Sequence, residues 1–247
     1  MGNKVLGLIP ARYASTRFPA KALVDIEGKP MIQRVYEQST KAKQLDEVWI
    51  ATDHVEIYDH AKSFGANVVM TSEAHRSGTE RCYEALQIIG NKFDYVVNIQ
   101  GDEPFIKPEQ IDELISLLDG NVELASMVSP IEDIETLFSP SEMKVVFDHS
   151  QNALYFSREC IPHVRGIEKK DWLKHTTFYK HVAIYAYRHD VLAAITALEP
   201  STLEVSESLE QLRWMQNGYK IKIGITYHKN ISIDTPEDLE RALKTMF

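Results

Sequence analysis

Short apolar runs alternate with stretches of helical periodicity through the first half of this chain, and no other feature narrows the fold so far. The runs KVLGLIP, EVWIAT, ANVVM and YVVNIQ are joined by patterns that predict helices over 31–43, 55–64 and 78–89, with a further helix over 108–118. Such alternation predicts βαβ units on a largely parallel sheet. Open sheets of this kind bind ligands beyond the carboxyl ends of their strands, where the connecting loops gather. After ELASMVSP the period changes, and MKVVF, NALYFSR, the polar stretch RGIEKKDWLKHTTFYK and HVAIYAYR read as hairpins. Residues 139–188 are therefore expected to form an inserted lobe within a single domain spanning residues 1–247, with Trp172, Phe178 and Tyr179 as exposed aromatics on it. Helices are predicted over 190–198 and 204–217, the second closed by Gly218, followed by a strand in KIKIGIT and a last helix from Pro236.

A chain of 247 residues buries roughly three quarters of the surface its unfolded form exposes, so its stability needs no disulfide or metal staple. Its net charge is −9, yet residues 1–34 hold six cations, among them Arg12, Arg17 and Lys21, against two acids. The basic character is local. Nucleic acid is therefore not the expected partner, because neutralising phosphates calls for a basic face. Cys82 and Cys160 follow no CxxC or metal-ligand spacing and predict reduced thiols. No apolar run approaches the ~20 residues of a membrane span, and the one before Arg12 is too short for a signal peptide. A soluble, cytoplasmic protein is expected.

The cations gather in PARYASTRFPAK, the loop after the first strand, where backbone N–H groups, two guanidinium forks and one ammonium suit a triphosphate. A merely solvated loop accounts for the same residues. Neither GxGxxG nor a P-loop lysine motif occurs, so a phosphate must be held in another way. In VVNIQGDEP a buried strand breaks at Gln100 and Gly101 and leaves Asp102 at its carboxyl end. A carboxylate there can hold a hard cation such as Mg2+ together with phosphate oxygens, or can simply be a turn residue. NISIDTPEDLE supplies a partner: Pro236 suits the first helical position, which makes Thr235 the N-cap and Asp238 its companion, and frees Asp234 to face a metal. Ser77 and Thr79 in HRSGTER open a helix, where capping accounts for them. None of the histidines has a zinc-ligand spacing, and His181 reads as a strand residue with a satisfied ring. Glu207, Glu210 and Gln211 read as solvated neighbours of Leu209, Leu212 and Met215 on an amphipathic helix.

In their order along the chain, IPARYASTRFPAKAL, HRSGTER, NIQGDEP, ALYFSR, KHVAIYAYR, LEQLRW and IDTPEDLE resemble the 3-deoxy-manno-octulosonate cytidylyltransferases, the CMP-Kdo synthetase family. The resemblance spans nearly the whole chain. Its opening loop and QGDEP are shared with nucleotidyltransferases at large, whereas YFSR, KHVAIYAYR and LEQLR point to this family. It implies a three-layer, Rossmann-like α/β nucleotidyltransferase fold with a mixed, mainly parallel central sheet. The implied reaction is transfer of CMP from CTP to the anomeric hydroxyl of Kdo, an eight-carbon acidic sugar, with release of pyrophosphate, in lipopolysaccharide biosynthesis. By matching motif positions, Lys21, Asp102 and Asp234 are implied to be catalytic, the two aspartates to bind Mg2+, and Ala11, Arg12, Arg17, Lys21, Ser77, Gly78, Thr79, Arg81 and Gln100 to bind CTP. Arg158, His181, Tyr185, Glu210 and Gln211 are implied to line the sugar pocket, and the 139–188 lobe to contact its copy in a homodimer. The alternatives are a cytidylyltransferase for another acidic sugar, 8-amino-Kdo or a sialic acid, and a nucleotide-binding regulator without turnover. Retention of Lys21, Asp102 and Asp234 together speaks against the regulator. The family usually carries Gly and Pro where this loop has Ala20 and Ala22, and alanine replaces glycine without strain only where φ is negative.

Overall fold

The first apolar run forms β1 (Val5–Ala11), in which Val5, Leu6, Leu8 and Ile9 are all buried, as a strand covered on both faces requires. The computed structural model describes residues 2–14, 18–90, 92–229 and 231–246. A short hairpin, β2 (Asp25–Ile26) and β3 (Lys29–Pro30), leads into α1 (Met31–Ser39), β4 (Glu47–Thr52), α2 (Val55–Ser63) and β5 (Val68–Met70). These are followed by α3 (Gly78–Ile89), β6 (Tyr95–Asn98) and α4 (Pro108–Ile115). The second half contributes β7 (Leu124–Pro130), α5 (Ile134–Phe138), β8 (Lys144–Phe147), β9 (Ala153–Ser157), α6 (Trp172–His175) and β10 (Tyr179–Arg188). It closes with α7 (His189–Thr196), α8 (Thr202–Glu207), α9 (Gln211–Gln216), β11 (Ile221–Ile225) and α10 (Pro236–Met246).

The main sheet runs β11-β7-β10-β6-β1-β4-β5, with β8 and β9 attached beside β10. Strands β6, β1, β4 and β5 pair in parallel, as do β7 and β11, whereas β10 runs antiparallel to both of its main neighbours. One face packs on α1, α2 and α4 through Ile32, Ile57, Ala61, Ile111 and Leu114. The other packs on α3, α7 and α9 through Ala85, Leu86, Leu192, Leu212 and Trp214. The result is the expected three-layer α/β fold with a mixed, mainly parallel sheet.

The structure divides the 139–188 range. Its last strand, β10, lies inside the main sheet: Val182, Ile184 and Ala186 face one core while Tyr185 and Tyr187 face the other. Burial on both faces is what places a strand centrally rather than in an outlying hairpin. Only β8, β9 and the segment 158–178 stand outside the βα frame. Trp172 and Phe178 are not exposed: at 3% and 1% exposure they sit with Ile131 and Leu137 in a small core of their own. The helix predicted over 204–217 is two helices, α8 and α9, separated at Ser208, which adopts the left-handed conformation with φ 53°. The break follows from Glu207, whose carbonyl accepts from Arg158 Nε at 2.7 Å instead of continuing a helical ladder.

Candidate active site

At the carboxyl ends of β1 and β6 a cleft of about 450 Å³ opens, lined among others by Arg12, Lys21, Ser77, Gln100, Asp102 and Asp234. Gly101 is what allows the two strand ends to meet, since a Cβ there would stand 2.9 Å from the Pro10 carbonyl oxygen. Just beyond it Asp102 accepts at its carbonyl from the Ile233 N–H at 2.9 Å, which brings the segment before α10 against the end of β6. That segment is capped as its sequence predicts. Asp238 Oδ2 accepts from the N–H groups of Asp234 and Thr235, and Thr235 Oγ1 accepts from Asp238 N–H at 3.2 Å. The Asp234 carboxylate is thereby released from capping and turned into the cleft.

Lys21 lies between the two acids. Its ammonium donates to Asp102 Oδ2 at 2.8 Å and to Asp234 Oδ1 at 2.9 Å. Burial works against the charge on Lys21, but the two carboxylates outweigh it and hold its pKa above the ordinary value. Lys21 follows Ala20, whose φ of 53° lies in the left-handed region. An alanine therefore stands where the backbone favours glycine. Ala11 is buried beside this loop, Arg12 is exposed at the mouth of the cleft, and Arg17 lies outside the described residues.

The start of α3 forms the opposite rim. Ser77 caps the helix by accepting from Glu80 N–H, as its position predicts. Gly78 packs its bare Cα against Pro10, where a Cβ would be 3.3 Å from the proline ring. Glu210 is not a solvated helix residue: Ser77 Oγ donates to its Oε1 at 2.9 Å and Thr79 Oγ1 to its Oε2 at 2.7 Å. Burial raises the Glu210 pKa against the pull of both hydroxyls and of Arg213, whose guanidinium is 3.0 Å away. Arg81 is buried and committed: it donates to Asp53 Oδ2 at 2.7 Å and to Thr71 Oγ1 at 2.6 Å. Asp53 in turn accepts from Tyr13 N–H at 3.2 Å, so it ties the loop after β1 to α3. Gln100 Nε2 lies 3.5 Å from Asn98 Oδ1 at the floor of the cleft.

The residues implied for the sugar stand behind this rim and do not line the cleft itself. Arg158 spends its guanidinium on the carbonyls of Glu207, Pro140 and Ser208, and its own N–H donates to Glu207 Oε2 at 2.9 Å. His181 is buried with Nε2 2.9 Å from Ser126 Oγ, while its Nδ1 has no hydrogen-bond partner among the described residues. Burial pulls its pKa down to about 3, so the ring is neutral near pH 7. Its ring meets those of Phe156 and Tyr185 with centroids 5.5 and 5.1 Å away. Gln211 is buried too, its Nε2 4.0 Å from Met143 Sδ. Sequence reasoning missed His75 and Arg76, which also line the cleft, and Asp53 and Glu207, which hold other site residues in place. His75 lies inside HRSGTER and Asp53 directly follows β4, so position at a strand end or within a motif was the available signal.

A family model for cytidylyltransferases matches residues 6–223. A protein of Parabacteroides distasonis named 3-deoxy-manno-octulosonate cytidylyltransferase is 56% identical over 97% of this chain and 97% of its own length. One of the same name from Cytophaga hutchinsonii is 51% identical, covering 98% and 97% respectively. Among solved structures, a CMP:2-keto-3-deoxy-manno-octonic acid synthetase complexed with CTP superposes with a TM-score of 0.91 at 39% identity, over 98% of each chain. The 4-diphosphocytidyl-2C-methyl-D-erythritol synthase of Anaerococcus prevotii shares the fold at 15% identity, with a TM-score of 0.66.

Proposed function

The chain belongs to the 3-deoxy-manno-octulosonate cytidylyltransferases, and from that premise we propose that it joins CMP from CTP to the anomeric hydroxyl of Kdo and releases pyrophosphate. The observation that carries the reading is the convergence of Asp102 and Asp234 on one cation, the Lys21 ammonium, in a cleft that Arg12 also lines. Phosphoryl-group transfer asks a protein mainly for positioning and charge neutralisation. Arg12 and Lys21 bring positive charge to the end of the cleft where phosphates would lie. The helix start at Ser77 and the Gln100 amide border its nucleotide end. Behind Ser77, Glu210 leads to Arg158, His181, Tyr185 and Gln211, which frame the sugar-acid side.

A pair of carboxylates already gathered about a cation fits Mg2+, which takes one or two carboxylates and completes its shell with phosphate oxygens and water. Asp102 and Asp234 would hold it, and the ion would supply Lewis-acid charge at the reacting phosphate. The protein is assigned to the cytoplasm on the free thiols of Cys82 and Cys160 and on its substrate CTP; among the described residues no helix is long and apolar enough to cross a membrane. A two-fold dimer is proposed through the β8–β9 hairpin, whose outer strand β9 exposes Leu154 at 59%.

The test is release of pyrophosphate on mixing the protein with CTP, Mg2+ and Kdo. CMP-Kdo and pyrophosphate in equal amounts are expected. Absence of pyrophosphate with Kdo and with every other sugar acid refutes the reading.

A further inference from the structure

Lys144 has no exposed surface, 0%, and no carboxylate within ion-pair distance among the described residues. Its ammonium donates instead to three backbone carbonyls, Ser139 at 2.8 Å, Glu142 at 2.6 Å and Arg158 at 2.6 Å. Burying an ammonium with no carboxylate in contact is costly, and the three carbonyls, which no substitution can remove, offset that cost. A lysine kept in such a place has to be explained by where it holds its partners. Polar groups that break the rule for a core are expected at functional sites.

One partner of Lys144, Arg158, and the contacts of its neighbour Met143 lead to the sugar side. The Arg158 carbonyl that it holds sits on the residue whose guanidinium clasps Pro140, Glu207 and Ser208. Ser208 is the left-handed break before α9, and Glu210 and Gln211 follow it after Leu209. The adjacent Met143 accepts at its carbonyl from His181 N–H at 2.8 Å and touches Gln211 through its sulfur. In the strand register Lys144 stands opposite Lys180, next to His181.

We propose that Lys144 is a positioning residue for the acidic sugar: its ammonium fixes residues 139–142 and 158 as one frame, on which Arg158, His181, Glu210 and Gln211 are oriented. It touches no substrate. The nucleotide side, built on the loop after β1 and on β6, meets that frame where Ser77 and Thr79 donate to Glu210, and keeps its own backbone geometry. The inference rests on the reading of this site as a cytidylyltransferase for Kdo.

The experiment compares wild type with Lys144→Met, which keeps an unbranched apolar stem and removes the donors, and with Lys144→Gln, which retains two. CTP binding by calorimetry, the melting temperature, and KM for each substrate are measured. The expected result is a KM for Kdo raised ~10-fold or more in Lys144→Met and less in Lys144→Gln, with CTP affinity and KM for CTP within about twofold. The melting temperature of Lys144→Met should fall by a few degrees at most, since the three carbonyls lose this donor. Should Lys144→Met fail to fold, Lys144→Gln carries the comparison alone. A KM for Kdo within about twofold of wild type in a variant that binds CTP normally overturns the proposal. So does a parallel loss of both substrates together with a larger fall in melting temperature, which marks a structural role only. If the wild type itself makes no CMP-Kdo, the parent reading fails and this one with it, and the failing protein tells the two cases apart.

Discussion

Asp102 and Asp234 approach the same ammonium from two distant stretches of the chain, one just after β6 and the other before α10, with Lys21 Nζ 2.8 and 2.9 Å from them. Both carboxylates are partly exposed and neither caps a helix, so removing one leaves the core and the caps in place. Asp102→Ala and Asp234→Ala are each expected to lower kcat by ~100-fold or more, with melting temperatures close to wild type. Turnover within severalfold of wild type for either variant sinks the assignment. Chelation of divalent ions should abolish activity and Mg2+ should restore it.

Lys21 is expected to act through charge on the departing pyrophosphate, so Lys21→Ala should lower kcat more than it raises KM for CTP. The same variant leaves two carboxylates facing each other without a cation. Its melting temperature in chelator should fall below that of wild type and recover on addition of Mg2+, by more than wild type gains. A melting temperature indifferent to Mg2+ in Lys21→Ala would argue against a metal at this pair.

Ala20 has a positive φ of 53°, where an L side chain is strained and glycine is not. Strain of this kind amounts to ~1–2 kcal/mol, and the added freedom of glycine in the unfolded chain returns part of it. Ala20→Gly should stabilise the protein by about 0.5–1 kcal/mol, a rise of ~1–4 °C in Tm for a chain of this size, without loss of activity. A lower Tm would show that the loop does not hold this conformation in solution.

The His181 pKa is depressed by burial from 6.5 to about 3. A depressed folded value means that the unfolded chain binds the proton more readily, so the stability this ring contributes is present above pH 6.5 and is lost as pH falls towards 3. Across that window the loss approaches ~1.4 kcal/mol per pH unit. Urea unfolding between pH 7 and pH 4 should show a steeper decline for wild type than for His181→Gln. Parallel curves would mean that the ring is open to water.

Size exclusion with light scattering at micromolar concentration should report twice the 28.2 kDa chain mass. Leu154→Glu on β9 should shift that mass towards the monomer. A monomeric, fully active wild type would remove both the hairpin contact and any part for it at the site.

Local signals made much of this site legible before the structure was known. Pro236 at the first helical position and Asp238 three residues after Thr235 define a cap whatever surrounds them, and the prediction that Asp234 is spared followed from that alone. Gly101 could be read as a strand break, but its reason, the nearness of the Pro10 carbonyl, depends on a residue far away in sequence. Ser208 breaks a helix with neither glycine nor proline, because the long-range clasp of Arg158 on Glu207 overrides local propensity. Trp172 and Phe178 looked exposed since their cover, Ile131 and Leu137, belongs to another segment. The alternation in KHVAIYAYR showed a strand but not its neighbours, and so β10 was read into the lobe. Lys144 left no trace at all, because a buried lysine and a solvated one are spelled alike.

The reversal of β10 bears on how this enzyme class can diversify. Tyr185 pairs with Asn98 at the end of β6, and the residues from Tyr179 to Val182 run on past it beside β7. A single strand laid against the grain therefore begins at the rim of the cleft, so that residues 139–178, which precede it, are delivered to the same rim without lengthening any loop of the nucleotide side. On the proposed reading, the two substrates would be met by walls encoded in separate stretches of chain. On that reading, mutations could accumulate on the sugar wall while the triphosphate side stays as it is, and a lineage could change which acid it activates without rebuilding how it activates it.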